Sequence, residues 1–156
     1  MSKIAFIGTG IMGIPMASNL QKAGHDLILS DHFNAAPAEL VAAGATVCRS
    51  PAEAAEQADV IILMVPNTPQ VEEVLFGDNG VEQGLTAGGA MGKLVIDMSS
   101  ISPIATKAIA ARINEGGASY LDAPVSGGEV GAINAALTIM VGGEQDAFDK
   151  ARPLFE

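Results

Sequence analysis

An α/β fold, Rossmann-type, with a doubly wound, mainly parallel sheet and helices on both faces, is predicted from three observations. The apolar runs at 4–7, 27–29, 60–65 and 94–96 are short and continuous rather than alternating, the pattern of strands buried on both faces. Alanine-rich amphipathic segments separate the later runs, so strand and helix alternate and right-handed crossovers keep the strands parallel. The first run feeds directly into Gly8-Thr9-Gly10-Ile11-Met12-Gly13, and helical spacing follows over 14–23; G-x-G-x-x-G carries weight only in this strand-turn-helix setting.

Each glycine of that loop has a physical task. Gly8 permits the tight turn, Gly10 lets the backbone approach a pyrophosphate, and Gly13 lets helix and strand pack closely. Thr9, Ile11 and Met12 complete the loop, and the helix N-terminus offers unpaired N–H groups and a positive dipole end to phosphates. Asp31 closes the second apolar run, 18 positions after Gly13. It is placed to accept hydrogen bonds from the adenosine ribose hydroxyls, which favours NAD. NADP stays possible, because a protonated His32 would partly compensate a 2′-phosphate. The other reading of Asp31 is a helix cap or turn residue.

The later elements follow in order. Helices are expected over 35–43, 51–58, 69–76 and 103–115, and Pro51, Pro69 and Pro103 suit a first turn. After Gly116-Gly117 come a strand at Tyr120-Leu121, the segment Asp122-Ala123-Pro124-Val125-Ser126-Gly127-Gly128 and a short helix over about 129–134. A strand over 137–141, a turn at Gly142-Gly143 and a last helix from Glu144 with acids in its first turn complete the chain. Residues 1–156 thus form one dinucleotide-binding domain. Ligands of an open α/β sheet sit outside the carboxyl ends of the strands. There the order of elements collects the glycine loop, Asp31, Pro66-Asn67, Ser99-Ser100 and the stretch from Pro124 to Gly128. Ser126-Gly127-Gly128 reads two ways, as an anion nest for a small carboxylate or as a helix cap.

Composition excludes several classes. The formal charge of −10, with 18 acids against 8 bases and no basic stripe, argues against nucleic acid and anionic membranes as partners. An anionic ligand would be repelled by the overall field, so local donors must hold it. The apolar runs are too short to span a membrane, and the first residues carry no secretory pattern. The single Cys48 excludes an internal disulfide and fits a reducing cytoplasm; it reads as a small buried hydrophobe. No His/Cys cluster offers a metal site. Met12, Met64, Met98 and the other methionines read as core filler.

Phe6-Ile7-Gly8-Thr9-Gly10-Ile11-Met12-Gly13, Asp97-Met98-Ser99-Ser100-Ile101-Ser102-Pro103 and the Asp122 to Gly128 segment resemble the β-hydroxyacid dehydrogenases. That group includes 3-hydroxyisobutyrate dehydrogenase, 6-phosphogluconate dehydrogenase and tartronate semialdehyde reductase. Within it, the stretch from Met64 to Gly77 is most similar to the tartronate semialdehyde reductase branch, and the likeness spans essentially the whole chain. The resemblance implies that the Gly8–Gly13 loop and Asp31 hold the adenosine diphosphate half of the cofactor. It implies that Val65, Pro66 and Asn67 line the nicotinamide ribose, with Ser100 near the nicotinamide. Ser126, Gly127 and Gly128 would bind the carboxylate of a short 3-hydroxy or 3-oxo acid, and the reaction would be hydride transfer between the nicotinamide and the oxygen-bearing carbon. The carbonyl oxygen then needs a proton, and hence a general acid.

In the family that acid is a lysine on a helix following this domain, assisted by an asparagine one turn later, and an all-helical domain completes the pocket. Residues 1–156 are expected to stop short of them, so no catalytic residue is expected here: Lys3, Lys22, Lys93, Lys107 and Lys150 do not match the position. A homo-oligomer is expected of the full-length protein. Two rival readings stay open, a 3-hydroxyisobutyrate dehydrogenase or related enzyme, and a catalytically silent dinucleotide-binding or assembly module. Ala136 departs from the family's glycine, and a positive φ there would strain the backbone by about 1 kcal/mol.

Overall fold

In the computed structural model, which describes residues 3–30, 36–99 and 101–155, the strands are β1 (Lys3–Ile7), β2 (Asp26–Ser30), β3 (Thr46–Cys48), β4 (Val60–Leu63), β5 (Leu94–Asp97), β6 (Ser119–Asp122), β7 (Val125–Ser126), β8 (Thr138–Ile139) and β9 (Gly142–Gly143). The helices are α1 (Gly13–Lys22), α2 (Ala38–Ala42), α3 (Pro51–Gln57), α4 (Thr68–Phe76), α5 (Val81–Gly88), α6 (Pro103–Glu115), α7 (Gly128–Ile133) and α8 (Gln145–Phe155). The main sheet runs β3-β2-β1-β4-β5-β6-β9. Every pairing in it is parallel except the last, where Leu121 faces Gly143 and Asp122 faces Gly142. This is the Rossmann arrangement that the sequence predicts.

The apolar runs are buried on both faces because alternate residues serve two layers. Ala5, Ile7, Ile61, Leu63 and Val95 join a core closed by α3, α4, α5 and α6. Ile4, Phe6, Val60, Ile62, Leu94 and Ile96 join a second core under α1, α2, α7 and α8. Burial of each large side chain stabilises the fold by roughly 1.5–3 kcal/mol. Three helices start as their sequences suggest, with proline in the first turn. Ser50 Oγ accepts from Glu53 N–H (3.2 Å), Asn67 Oδ1 from Gln70 N–H (3.2 Å) and Ser102 Oγ from Ala105 N–H (3.5 Å).

Several elements depart from expectation. β3 is an edge strand of three residues whose Thr46 and Val47 are exposed, too short to show a pattern. α5 contains Gly84 and Gly88, which locally read as loop. A Cβ at Gly84 would lie 2.0 Å from the Ala52 carbonyl oxygen, so its glycine serves the close crossing of α5 over α3. Gly142-Gly143 is an edge strand rather than a turn, and the expected strand over 137–141 shrinks to β8. It pairs with β7 in a separate antiparallel sheet, Ser126 opposite Thr138. Cys48 is buried as expected, but Met91 and Met140 are exposed at 86% and 57% and fill no core.

The left-handed residue after α7 is Ala135 (φ 54), not Ala136. Ala135 N–H donates to Ala132 O (3.3 Å) and Ala136 N–H to Gly131 O (2.8 Å), the paired bonds that close a helix around a left-handed residue. α1, α2 and α6 are followed by glycine with positive φ, Gly24, Gly44 and Gly117; α7 uses alanine there. Ala135→Gly is therefore expected to raise stability by about 0.5–1 kcal/mol, read as a higher melting temperature.

Candidate cofactor site

β1 lies between β2 and β4, so the chain turns to opposite sides on leaving β1 and β4. Such a switch point opens a crevice at the carboxyl ends of the two strands. A crevice of about 520 Å³ lies there. One wall is the glycine loop, with Gly8, Gly10, Ile11, Met12 and Gly13; the other is the end of β4 and the first turns of α4, with Met64, Val65, Pro66, Gln70 and Val74.

The three glycines separate by physical cause. Gly8 has φ 107, and a Cβ there would meet the Met64 carbonyl oxygen at 2.1 Å. A Cβ on Gly13 would lie 1.8 Å from the Gly8 carbonyl oxygen. Both are demanded by the fold itself. Gly10 is different: a Cβ there meets nothing within 4 Å, and its φ lies outside the left-handed region. Packing in the described residues gives no reason for glycine at that position, which is open space facing the crevice and leaves the backbone open to close approach.

The start of α1 agrees with this. Its N-cap is Met12, with no side-chain cap and no acid in the first turn. Among the described helices with an N-cap, the others have a capping side chain, as α3, α4 and α6 do, or an acid in the first turn, as α2, α5 and α7 do. The start of α1 thus presents its positive dipole end to the crevice with no capping side chain and no acid in its first turn. An open turn of amides without a negative side chain fits a pyrophosphate despite the net charge. A smaller, apolar cavity of about 210 Å³, lined by Phe6, Met16, Leu20 and Phe155 among others, lies between α1 and α8 and has no such amide turn.

Behind the β4 wall sits a buried polar cluster. Val65 N–H donates to Ser99 Oγ (2.9 Å), Ser99 N–H to Asp97 Oδ1 (3.0 Å), and Tyr120 O–H to Asp97 Oδ2 (3.0 Å). Asp97 and Ser99 have no solvent exposure. Burial pushes the Asp97 carboxyl above its ordinary range, partly offset by hydrogen bonds from Ser99 and Tyr120. Burial, and then the neighbouring Asp97, push the Tyr120 hydroxyl up. Asp122, opposite Asp97 across β5 and β6, is raised by burial and by Asp97.

The sequence-derived residues distribute as follows. Gly8, Gly10, Ile11, Met12, Gly13, Val65 and Pro66 come together around the crevice, and half-buried Thr9 sits in the same loop. Asn67 stands outside its lining and caps α4. Ser126, Gly127 and Gly128 are exposed on β7 and at the start of α7, also apart from that lining. The cap of α7 is Gly127, with no side-chain bond, so Ser126 does not cap the helix. Asp31 and Ser100 lie outside the described residues. Met64, which the sequence reads as core filler, also lines the crevice; Gln70 and Val74 are lining residues that the sequence did not single out, their spacing of one helical turn being the available signal.

Comparison with known proteins bears on this geometry. Residues 3–156 match the family model of the NAD binding domain of 6-phosphogluconate dehydrogenase. The 2-hydroxy-3-oxopropionate reductase of Escherichia coli (strain K12) is 52% identical over 154 residues, covering 99% of this chain and 51% of that protein. The NAD-dependent L-serine dehydrogenase of Pseudomonas aeruginosa is 49% identical over 156 residues, covering 100% and 51%. A solved structure of Mycobacterium tuberculosis 3-hydroxyisobutyrate dehydrogenase with L-serine aligns with a TM-score of 0.84 at 38% identity, covering 100% of this chain and 51% of that one. The chain spans about half the length of these relatives. With its crevice at the switch point and the family match over residues 3–156, the chain belongs to the family of the NAD binding domain of 6-phosphogluconate dehydrogenase.

Proposed function

We propose that this chain is the cofactor-binding domain of an oxidoreductase that reduces tartronate semialdehyde (2-hydroxy-3-oxopropanoate) to glycerate. The observation that carries the cofactor part is Gly10, a glycine that neither backbone conformation nor packing requires, facing a crevice at the switch point. The 52% identity with a 2-hydroxy-3-oxopropionate reductase supports the substrate. When bound, the reduced nicotinamide cofactor supplies the hydride.

The residues present bind and orient. Amides of the Gly8–Gly13 loop and the start of α1 hold the pyrophosphate, and Asp31 accepts from the adenosine ribose, favouring NAD over NADP. Val65 and Pro66 line the nicotinamide end, with Asn67 and Ser100 beside it. Ser126, Gly127 and Gly128 are assigned to the substrate carboxylate. Gly127 (φ 137) and Gly128 (φ 62) turn the backbone as only glycine readily does, and the exposed Ser126 is not committed to capping. Protonation of the carbonyl oxygen is assigned to a lysine outside residues 1–156. Among the lysines present, Lys93 is engaged, donating to the Ala55 and Glu56 carbonyls.

A second reading, oxidation of 3-hydroxyisobutyrate, is favoured by the fit to the Mycobacterium tuberculosis enzyme over the whole chain. Steady-state kinetics of the full-length protein separate the two. The expected result is a kcat/KM for tartronate semialdehyde with NADH at least about tenfold above that for 3-hydroxyisobutyrate with NAD. The reverse preference selects the second reading, and activity on neither acid rejects both.

A further inference from the structure

We propose that Asp97, Ser99 and Tyr120 form a positioning relay that sets the Val65 wall of the crevice and thereby the affinity for the nicotinamide half of the cofactor. The proposal rests on the cofactor reading given above. β4 ends at Leu63. Past that point Met64 N–H still donates to the β1 carbonyl of Ile7 (2.8 Å), and the Leu63 carbonyl still accepts from Met98 N–H (2.8 Å). The next donor, Val65 N–H, is taken by a side chain, Ser99 Oγ. The wall therefore stands where the Ser99 side chain holds it.

Ser99 in turn is not free to rotate. It is fully buried, its N–H donates to Asp97 Oδ1, and its Oγ accepts from Val65 N–H. Tyr120, anchored in β6, holds the other carboxyl oxygen. Donors thus run in one sense from each end, Val65 to Ser99 to Asp97 and Tyr120 to Asp97. Packing does not call for a carboxyl with no solvent exposure, because burial is unfavourable to it and an apolar residue of similar volume is often as stable. Fixing the direction of hydrogen bonds is what a carboxyl adds. The same segment abuts the glycine loop, since Gly8 has no room for a Cβ against the Met64 carbonyl. The relay's hydrogen bonds end on Val65 N–H and not on a loop amide, so its larger effect falls on the nicotinamide end. These three are positioning residues and do not touch the reacting atoms.

Calorimetric titration of the full-length protein with NADH and, separately, with ADP tests this. Ser99→Ala is expected to weaken NADH binding about fivefold to tenfold, as for one buried hydrogen bond lost. ADP binding is expected to change less than about twofold, and Ser99→Thr, which keeps the hydroxyl, to restore NADH binding. Equal weakening for both ligands, as general loosening would produce, overturns the relay, and so does unchanged binding of both. Should Ser99→Ala not fold, Tyr120→Phe cuts the relay at its far end. It is then expected to weaken NADH about twofold to fourfold with ADP unchanged, and the same two contrary results overturn the proposal. Failure of the unsubstituted protein to bind NADH rejects the cofactor crevice itself, and the relay with it.

Discussion

Gly10→Ala is expected to fold with nearly the stability of the unsubstituted chain and to lose NADH binding, whereas Gly13→Ala is expected to lose the fold. The two positions lie three residues apart in one motif, yet their surroundings differ completely. The added methyl at Gly13 would lie 1.8 Å from the Gly8 carbonyl oxygen. That backbone atom cannot retreat without pulling α1 off β1, a penalty of about 3 kcal/mol or more. At Gly10 the methyl meets nothing and the backbone stays in an ordinary region, so stability should change by less than about 0.5 kcal/mol. The methyl would instead occupy the space where a pyrophosphate must approach the amides, weakening NADH about tenfold or more. Thermal denaturation followed by circular dichroism reads the first effect and calorimetry the second. A Gly10→Ala chain that binds NADH normally would mean that the phosphates lie elsewhere.

Relative to Asp97→Asn, the unsubstituted chain is expected to lose stability as the pH rises above the ordinary aspartate range. In the folded chain Asp97 is raised above the ordinary value of 3.8, by burial first, and Asp122 is raised by burial and by Asp97. In the unfolded chain both titrate near that ordinary value. Between the unfolded and the raised folded values, the folded state therefore binds more protons than the unfolded state, and stability falls as pH increases. The relative advantage is present in full below the unfolded value and is lost as pH climbs through the folded one. Asp97→Asn cannot ionise and removes both its own share and its push on Asp122. Melting temperatures of the two proteins, taken from about pH 4 to pH 8, should shift in the variant's favour as pH rises. A shift in favour of the unsubstituted chain would show that Asp97 is held below the ordinary range instead.

Much of this molecule is legible without coordinates because its signals are local. A strand buried on both faces needs only apolar residues in sequence, so 4–7 and 94–96 announce themselves, and 60–65 does so with two residues to spare, since β4 ends at Leu63. Proline in the first turns of α3, α4 and α6 is another local signal. The glycine loop is likewise a local strand-turn-helix, and so was recognisable. Other features depend on distant partners and were hidden or misplaced. α5 reads as loop until its glycines meet α3. Gly142-Gly143 becomes a strand only because β6 offers a free edge. Ala135 rather than Ala136 takes the left-handed conformation because the length of α7 decides where the helix closes.

The sequence by itself determined the fold class, a crevice at the carboxyl ends of the strands and the kind of ligand it suits, since these follow from the order of elements and from the loop between β1 and α1. Only the tertiary structure decided which motif residues stand in the wall, that Gly10 alone of the three loop glycines is required neither by its φ nor by packing among the described residues, and that Asn67 caps α4. Tertiary structure also brought Asp97, Ser99 and Tyr120 behind Val65. Their hydrogen bonds join the segment after β4 to β5 and β6, far apart along the chain, and no spacing in the sequence encodes a distance across a sheet.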